Sequence, residues 1–518
     1  MFTLPRNSHA GVWRRAHDQL LKTLCVFLSC WLAACAVGPD FVRPEGPASR
    51  QYTYEEQPSG TIAAQGGAQR FERGAKIAAD WWRLFSCPKL DAVVMQSIAN
   101  NPTLQAAQAS LRQSEDNLRA GYGIFYPQIG ASFQPTRQQF SPARFGGSVA
   151  PSIFNLYTFL TTVSYVLDVF GGERRTVEGL GAQVDVQYYN AQGSYLTLSG
   201  NIVNAVVAEA AYSAEIEATL QIVGFLQEQT TVTAAQARAG IVPYANLLSI
   251  QTQLATTQAT LPALRQQLAH TRHLLTTLAG RAPADWAPPQ VTFSELKLPK
   301  DLPVSLPSDL VRQRPDILVA EAQLHSASAQ IGVATAAMFP SFTLNANYGW
   351  NSTSLSDLFG SSAAFWTLGA ALATPLIQGP TLWYQRKAAI DAYQQALANY
   401  RQTVLAALAQ VADALDALQH DAQTLSAQSR AVHASSEALH LTQVNYQAGT
   451  VNYLQVLIAD YQYQQANLGY IQAIGQRLQD TAALFVALGG GWWNAPDRGI
   501  VGSSIGNGAG GRLLQSGQ

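Results

Sequence analysis

The sequence predicts an internally duplicated α+β fold in which each half supplies two membrane-type strands and one long helical hairpin. Three observations lead there. The first is a repeat: Asn101-Pro102-Thr103-Leu104 opens a helical run closed by Phe125-Tyr126-Pro127, and Arg314-Pro315-Asp316-Ile317 opens another closed by Met338-Phe339-Pro340. Both runs measure 25 positions from proline to proline, with an offset of 213 between copies. Further on, Ala239-Gly240 recurs as Ala448-Gly449, and Leu278-Ala279-Gly280 as Leu488-Gly489-Gly490. A unit of this size is too long for a solenoid repeat and reads as a duplicated structural half. The second observation is a switch from helical to alternating hydrophobicity after each run. The third is a long proline-free helical stretch after each alternation.

The N-terminus comes first in chain order. Arg6, Arg14, Arg15 and Lys22 precede a short apolar stretch at residues 23–34, the pattern of a signal peptide covering 1–34. It ends in Leu32-Ala33-Ala34-Cys35, which resembles a bacterial lipobox, and that resemblance makes Cys35 the lipid-attachment residue. Ala36 follows in place of an Asp that would retain a lipoprotein at the inner membrane, so the same resemblance favours the outer membrane. Cys25 and Cys30 fall in the signal. Maturation then leaves only Cys35 and Cys87, too few for a disulfide once Cys35 is acylated.

Residues 35–79, rich in Pro, Gly, Ala and Gln, read as an extended strap leaving the lipid anchor. Packed structure begins at Asp80-Trp81-Trp82-Arg83-Leu84-Phe85, and helical periodicity runs from about Pro88 to Gly121. From Tyr157, apolar Tyr157, Phe159, Val163, Tyr165 and Leu167 alternate with Thr158, Thr162, Ser164 and Asp168. In the second half Phe342, Leu344, Ala346, Tyr348 and Trp350 alternate with Ser341, Thr343, Asn345, Asn347 and Gly349, and Trp366, Leu368, Ala370 and Leu372 add a similar face. These strands have one apolar and one polar side and about the length that crosses an outer membrane. Loops at 141–152 and 351–363 join the pairs.

The proline-free stretches read as long helices. Residues 173–239 form one, on the order of 100 Å at about 1.5 Å per residue. Tyr393, Leu397, Tyr400, Val404, Leu408, Val411, Leu415 and Leu418 alternate spacings of three and four, and Leu457, Gln464, Ile471, Leu478 and Phe485 keep a strict heptad on the returning helix. The two repeats are therefore drawn at 80–300 and 301–493, followed by a Gly/Ser-rich tail at 494–518 expected to be disordered.

Composition narrows the function classes. With 13% charged residues and a net charge of −1, no basic patch for nucleic acid is present. No apolar run reaches the roughly 18 residues of a spanning helix. His270 and His273 share a helix face without accompanying carboxylates, and Gly489-Gly490-Gly491 lacks the lysine and strand of a phosphate loop, so no catalytic residue, metal or cofactor is assigned. Four amphipathic strands cannot close a barrel, and an open edge in lipid is prohibitive, so copies must share one. Two copies give eight strands and three give twelve.

These residues resemble the TolC-like outer-membrane efflux channels, in particular the OprM/NodT-type lipoprotein branch, from Cys35 to about Trp493. The carrying motifs are Cys35-Ala36-Val37-Gly38-Pro39-Asp40-Phe41, Asp80-Trp81-Trp82, Asn101-Pro102 and Phe125-Tyr126-Pro127-Gln128. Further ones are Ser164-Tyr165-Val166-Leu167-Asp168-Val169-Phe170-Gly171, Arg312-Gln313-Arg314-Pro315-Asp316 and Ala487-Leu488-Gly489-Gly490-Gly491-Trp492. The resemblance implies a homotrimer, with a twelve-stranded outer membrane β-barrel continuing into a periplasmic α-helical barrel. It implies a passive duct of a tripartite efflux pump for small toxic compounds or drugs, with outer membrane lipid around it. The partners it implies are a periplasmic membrane-fusion adaptor protein and an inner-membrane efflux transporter. It places adaptor-docking tips at Gly240, Ile241, Val242, Pro243 and Tyr244 and at Gly449, Thr450, Val451, Asn452 and Tyr453. The gate is read at Leu454, Ile458 and Asp460. Leu454 matches the family's constricting Leu, but Ile458 stands where an acid is expected and Asp460 falls two residues on, on another helix face. The constriction is thus expected to be hydrophobic. Two other functions fit the same architecture less well, a protein-secretion channel and a non-conducting coiled-coil lipoprotein.

Overall fold

The structure is a computed structural model that describes residues 36–49, 51–55, 57–64, 67–140, 151–376, 378 and 380–495. In chain order come β1 (Arg70–Arg73), α1 (Pro88–Asn100), α2 (Pro102–Gly121), β2 (Gln128–Phe140), β3 (Ser152–Leu167), α3 (Gly172–Arg238) and α4 (Tyr244–Leu278). Then follow β4 (Asp301–Val304), the short α5 (Pro307–Leu310), α6 (Pro315–Ala336), β5 (Ser341–Ser352), β6 (Ala364–Ala373), α7 (Thr381–Gln447) and α8 (Tyr453–Ala487). α3 and α7 have 67 residues each, and α4 and α8 have 35 each. The signal peptide, Cys35, the loop tip at 141–150 and the tail from 496 lie outside the described residues.

The chain divides into two compact units. The first holds Arg112–Asp185 and Glu321–Asn399 with the start of the strap. Its centre is a four-stranded antiparallel sheet in the order β2-β3-β5-β6. The register sorts side chains into two faces. Ile129, Val163, Ala346 and Leu368 stand in one row across the strands, and Thr161, Tyr348 and Trp366 in another, on the apolar face. Gly130, Thr162, Asn347 and Thr367 stand on the opposite, polar face, where Asn347 Nδ2 donates to Thr367 Oγ1 at 3.0 Å. Alternation is strict through β5 and holds in β2 from Gln128 to Gln134, whereas β3 sets Thr161 on the apolar face and Leu156, Leu160 and Val166 on the polar one. The outer edges of β2 and β6 have no strand partner among the described residues.

In the same unit the strap is held by specific side chains. Val37 N–H donates to Phe170 O, Asp40 pairs with Arg175 at 2.6 Å, and Arg43 pairs with Glu321 at 2.6 Å. Phe41 stacks on His325, whose ring bonds Glu178 at 2.9 Å. Asp40, Phe41 and Arg43 are thus docked on this unit.

The second unit holds Val186–Ala320 and Tyr400 onward, together with Pro44–Leu111. Its core gathers Trp81, Trp82, Phe85, Leu90 and Val94 against Ile202 and Val206 of α3, Val411 and Leu418 of α7, and Phe485 of α8. Trp81 stacks on Phe485 with centroids 5.4 Å apart. The Asp-Trp-Trp motif is therefore an apolar key shared by α3, α7 and α8. β1 pairs in parallel with β4, a contact between the strap and the start of the second copy that the sequence did not foretell.

The helical run expected from Pro88 to Gly121 breaks at Asn101, because a residue before proline is driven to extended backbone (ψ 121°). Asn101 then caps α2: its Oδ1 accepts from the N–H groups of Thr103 and Leu104. Its Nδ2 donates to Leu278 O, the last residue of α4, at 2.9 Å. The negative end of α4 thus meets the positive end of α2. A second joint uses another residue: Arg314, before Pro315, donates to the carbonyl of Ala487, the last residue of α8, at 2.8 Å. No helix among the described residues is long and apolar enough to cross a membrane.

Candidate gate and hairpin tips

Each long hairpin turns through a glycine. At the first, Ile241 N–H donates to Gln236 O (2.9 Å) and Gly240 N–H to Ala237 O (3.1 Å), closing the end of α3 with Gly240 at φ 72°. At the second, Thr450 N–H donates to Asn445 O (3.0 Å) and Gly449 N–H to Tyr446 O (2.9 Å), with Gly449 at φ 73°. Left-handed backbone of this kind is why glycine recurs in both copies. Beyond the turn the copies diverge. Pro243 starts α4 without a side-chain cap, whereas Asn452 Oδ1 accepts from Gln455 N–H and caps α8.

Ile241, Pro243 and Tyr244 are exposed at the first tip, with Val242 half-buried beside them. Thr450 and Asn452 are exposed at the second, with Val451 and Tyr453 half-buried. The Tyr453 ring lies 5.1 Å from that of Tyr446, and burial pushes its phenol above the usual range.

The three gate positions separate. Leu454 and Ile458 lie on one side of α8, 41% and 50% exposed, while Asp460 is 4% exposed. The hydrophobic pair presents itself to solvent, and the acid faces inward, where Gln464 Nε2 lies 3.5 Å from its Oδ1. Burial pushes the Asp460 carboxyl up to about 6. Asp460 lies on a different helix face from Leu454 and Ile458, and its burial was not expected.

Sequence reading missed three groups. Arg477, 1% exposed on α8, donates to Gln69 Oε1, Thr61 Oγ1 and Gly67 O and so fixes the strap. Asp421 of α7 shares a hydrogen bond with Asp480 of α8, and burial with that neighbour pushes its carboxyl up to about 7. Glu209 pairs with Arg272 across the first hairpin at 2.8 Å, and burial still raises its carboxyl. A charged residue at a seam position was the available signal. His270 and His273 are exposed, and no group of three potential metal ligands occurs among the described residues.

This architecture has known counterparts. The sequence profile of the family described as "Outer membrane efflux protein" matches residues 93–281 and again residues 306–490. The chain belongs to that family. The channel is similar to the pyoverdine export outer membrane protein OpmQ of Pseudomonas putida, 27% identical over 416 residues that cover 80% of this chain and 88% of OpmQ. It is similar to the toluene efflux pump outer membrane protein TtgC of Pseudomonas putida, 28% identical over 482 residues covering 89% and 94%. Among solved structures, the outer-membrane channel OprN superposes with a TM-score of 0.80 at 25% identity, covering 88% of this chain and all of the other. The protein is an outer-membrane efflux channel, as the resemblance implied.

Proposed function

We propose that three copies close one twelve-stranded barrel and one helical tunnel, forming a passive duct through which small toxic compounds leave the cell. The observation that carries this is the four-stranded sheet with a continuous apolar face and two unpaired edges, at β2 and β6. A sheet of this kind is unstable in lipid unless its edges meet further strands. The equal lengths of α3 and α7 and of α4 and α8 support an internal duplication, with repeats at 80–300 and 301–493. Three duplicated chains then approximate six-fold symmetry.

In this reading Cys35 carries the lipid, residues 36–79 strap the anchor to the body, and the tips at 240–244 and 449–453 meet a periplasmic adaptor. The adaptor links the duct to an energised inner-membrane transporter, and the duct itself does no chemistry. Leu454 and Ile458 form the constriction. Relatives named for pyoverdine export and toluene efflux support a small-molecule cargo.

Purified trimer in planar lipid bilayers gives discrete conductance steps, and its absence from correctly assembled trimer rejects the duct. Deleting the gene raises sensitivity to small toxic compounds; loss of secreted polypeptide with unchanged sensitivity selects the protein-secretion alternative.

A further inference from the structure

The seam between the hairpins, α3 against α8, differs from the apolar core above it. Two contacts and one close approach fix the pairing. A methyl built on Gly475 would meet Ala211 Cβ at 3.5 Å, Glu215 hydrogen-bonds Gln472, and Glu228 lies beside Tyr453. From Glu215 to Thr233 α3 carries Glu215, Thr219, Ile222, Leu226, Gln229 and Thr233 at heptad spacing, every one of them buried. On α8 the stretch between Tyr453 and Gly475 buries Asp460 and Gln464 together with Val456, Ala459 and Ala473.

This stretch of the seam therefore holds two carboxyls and four neutral polar side chains. Gln229 Oε1, Thr233 Oγ1 and Gln464 Oε1 are buried without a hydrogen-bond partner. No ion pair involves Asp460 or Glu215 among the described residues. Gln464 faces Asp460, and Gln472 faces Glu215. The acidic and phenolic neighbours, Glu228, Tyr446 and Tyr453, stand at the tip end. Arg272 is committed to Glu209 and Arg477 to the strap, and on α7 Arg430, His433 and His440 are exposed. The position equivalent to Asp460 in the first hairpin is Gln251, which is exposed, so the feature belongs to the second hairpin alone.

We propose that Asp460 and Glu215 make the α3–α8 seam a proton-dependent latch. Protonated, both carboxyls act as neutral hydrogen-bonding groups and the hairpins stay zipped. Ionised, two like charges sit in one buried seam without a counter-cation, and the seam lowers its energy by parting and admitting water. Burial raises both carboxyls in the zipped state, in keeping with this direction. A group whose zipped-state pKa is raised stabilises that state fully at low pH and loses the contribution as pH climbs through the raised value. For Asp460 the window runs from its ordinary 3.8 to about 6.

The latch rests on the duct reading only for its consequence, so the test separates the two. Full-length protein is followed by amide hydrogen exchange across residues 453–464 and, in parallel, by bilayer conductance, from about pH 4 to about pH 7.5. After correction for intrinsic exchange chemistry, seam opening in the wild type rises on the order of 100-fold over this range. D460N with E215Q abolishes the rise, while D413N, an exposed carboxylate on α7, leaves it intact. A double variant that keeps the wild-type pH response overturns the latch. An intact exchange response with no conductance at any pH rejects the duct and supports the latch.

Discussion

Arg477 is buried at the point where the strap crosses α8, bonded to the neutral groups of Thr61, Gly67 and Gln69. Replacing it with Met keeps the aliphatic volume but strands Gln69 Oε1 and removes a cation acting on Asp421. R477M is expected to cost about 3 kcal/mol, read from chemical denaturation. Asp421 itself gives a pH signature. Its folded pKa is raised to about 7 from 3.8, so the stability it contributes is complete in acid and is lost as pH rises through 7. Melting temperature is therefore expected to fall between about pH 4 and about pH 7, and D421N to flatten the fall. An unchanged slope in D421N would assign the pH dependence to other groups.

At the level of elements, local chemistry was legible and long-range chemistry was not. Pro102, Pro315, Gly240 and Gly449 each act on their own backbone, so the helix starts and turns they mark stand where the sequence put them. The strands were legible because Phe342 to Trp350 alternates strictly, whereas β2 hides behind Arg137, Gln138 and Gln139. The docking of Asp40, Phe41 and Arg43 on α3 and α6 was not legible, since it joins residues far apart in the chain. The same holds for Asp460: a heptad reading gives its face, but only the neighbouring helix makes that face dry. Gly449→Val forces a β-branched side chain into left-handed backbone and is expected to lose about 1–2 kcal/mol of helix-end stability. Faster hydrogen exchange confined to the second tip is the readout; exchange spread through α7 would point to a broader fault.

For the whole molecule, the two faces of the sheet make opposite predictions. Leu368 stands on the apolar face, 77% exposed, and L368K is expected to cost about 2–4 kcal/mol if it lies at mid-membrane, seen as loss of heat-resistant oligomer. Asn347 stands on the polar face, where N347K should leave assembly intact and shift ion selectivity toward anions. Equal effects of both would contradict the assignment of faces. The joints at Asn101 and Arg314 carry one more implication. Asn101 reaches Leu278 and Arg314 reaches Ala487, so each splice closes inside its own half of the gene product. The peptide linking the halves carries neither splice. Two separately translated fragments, divided near residue 300, should then complement each other.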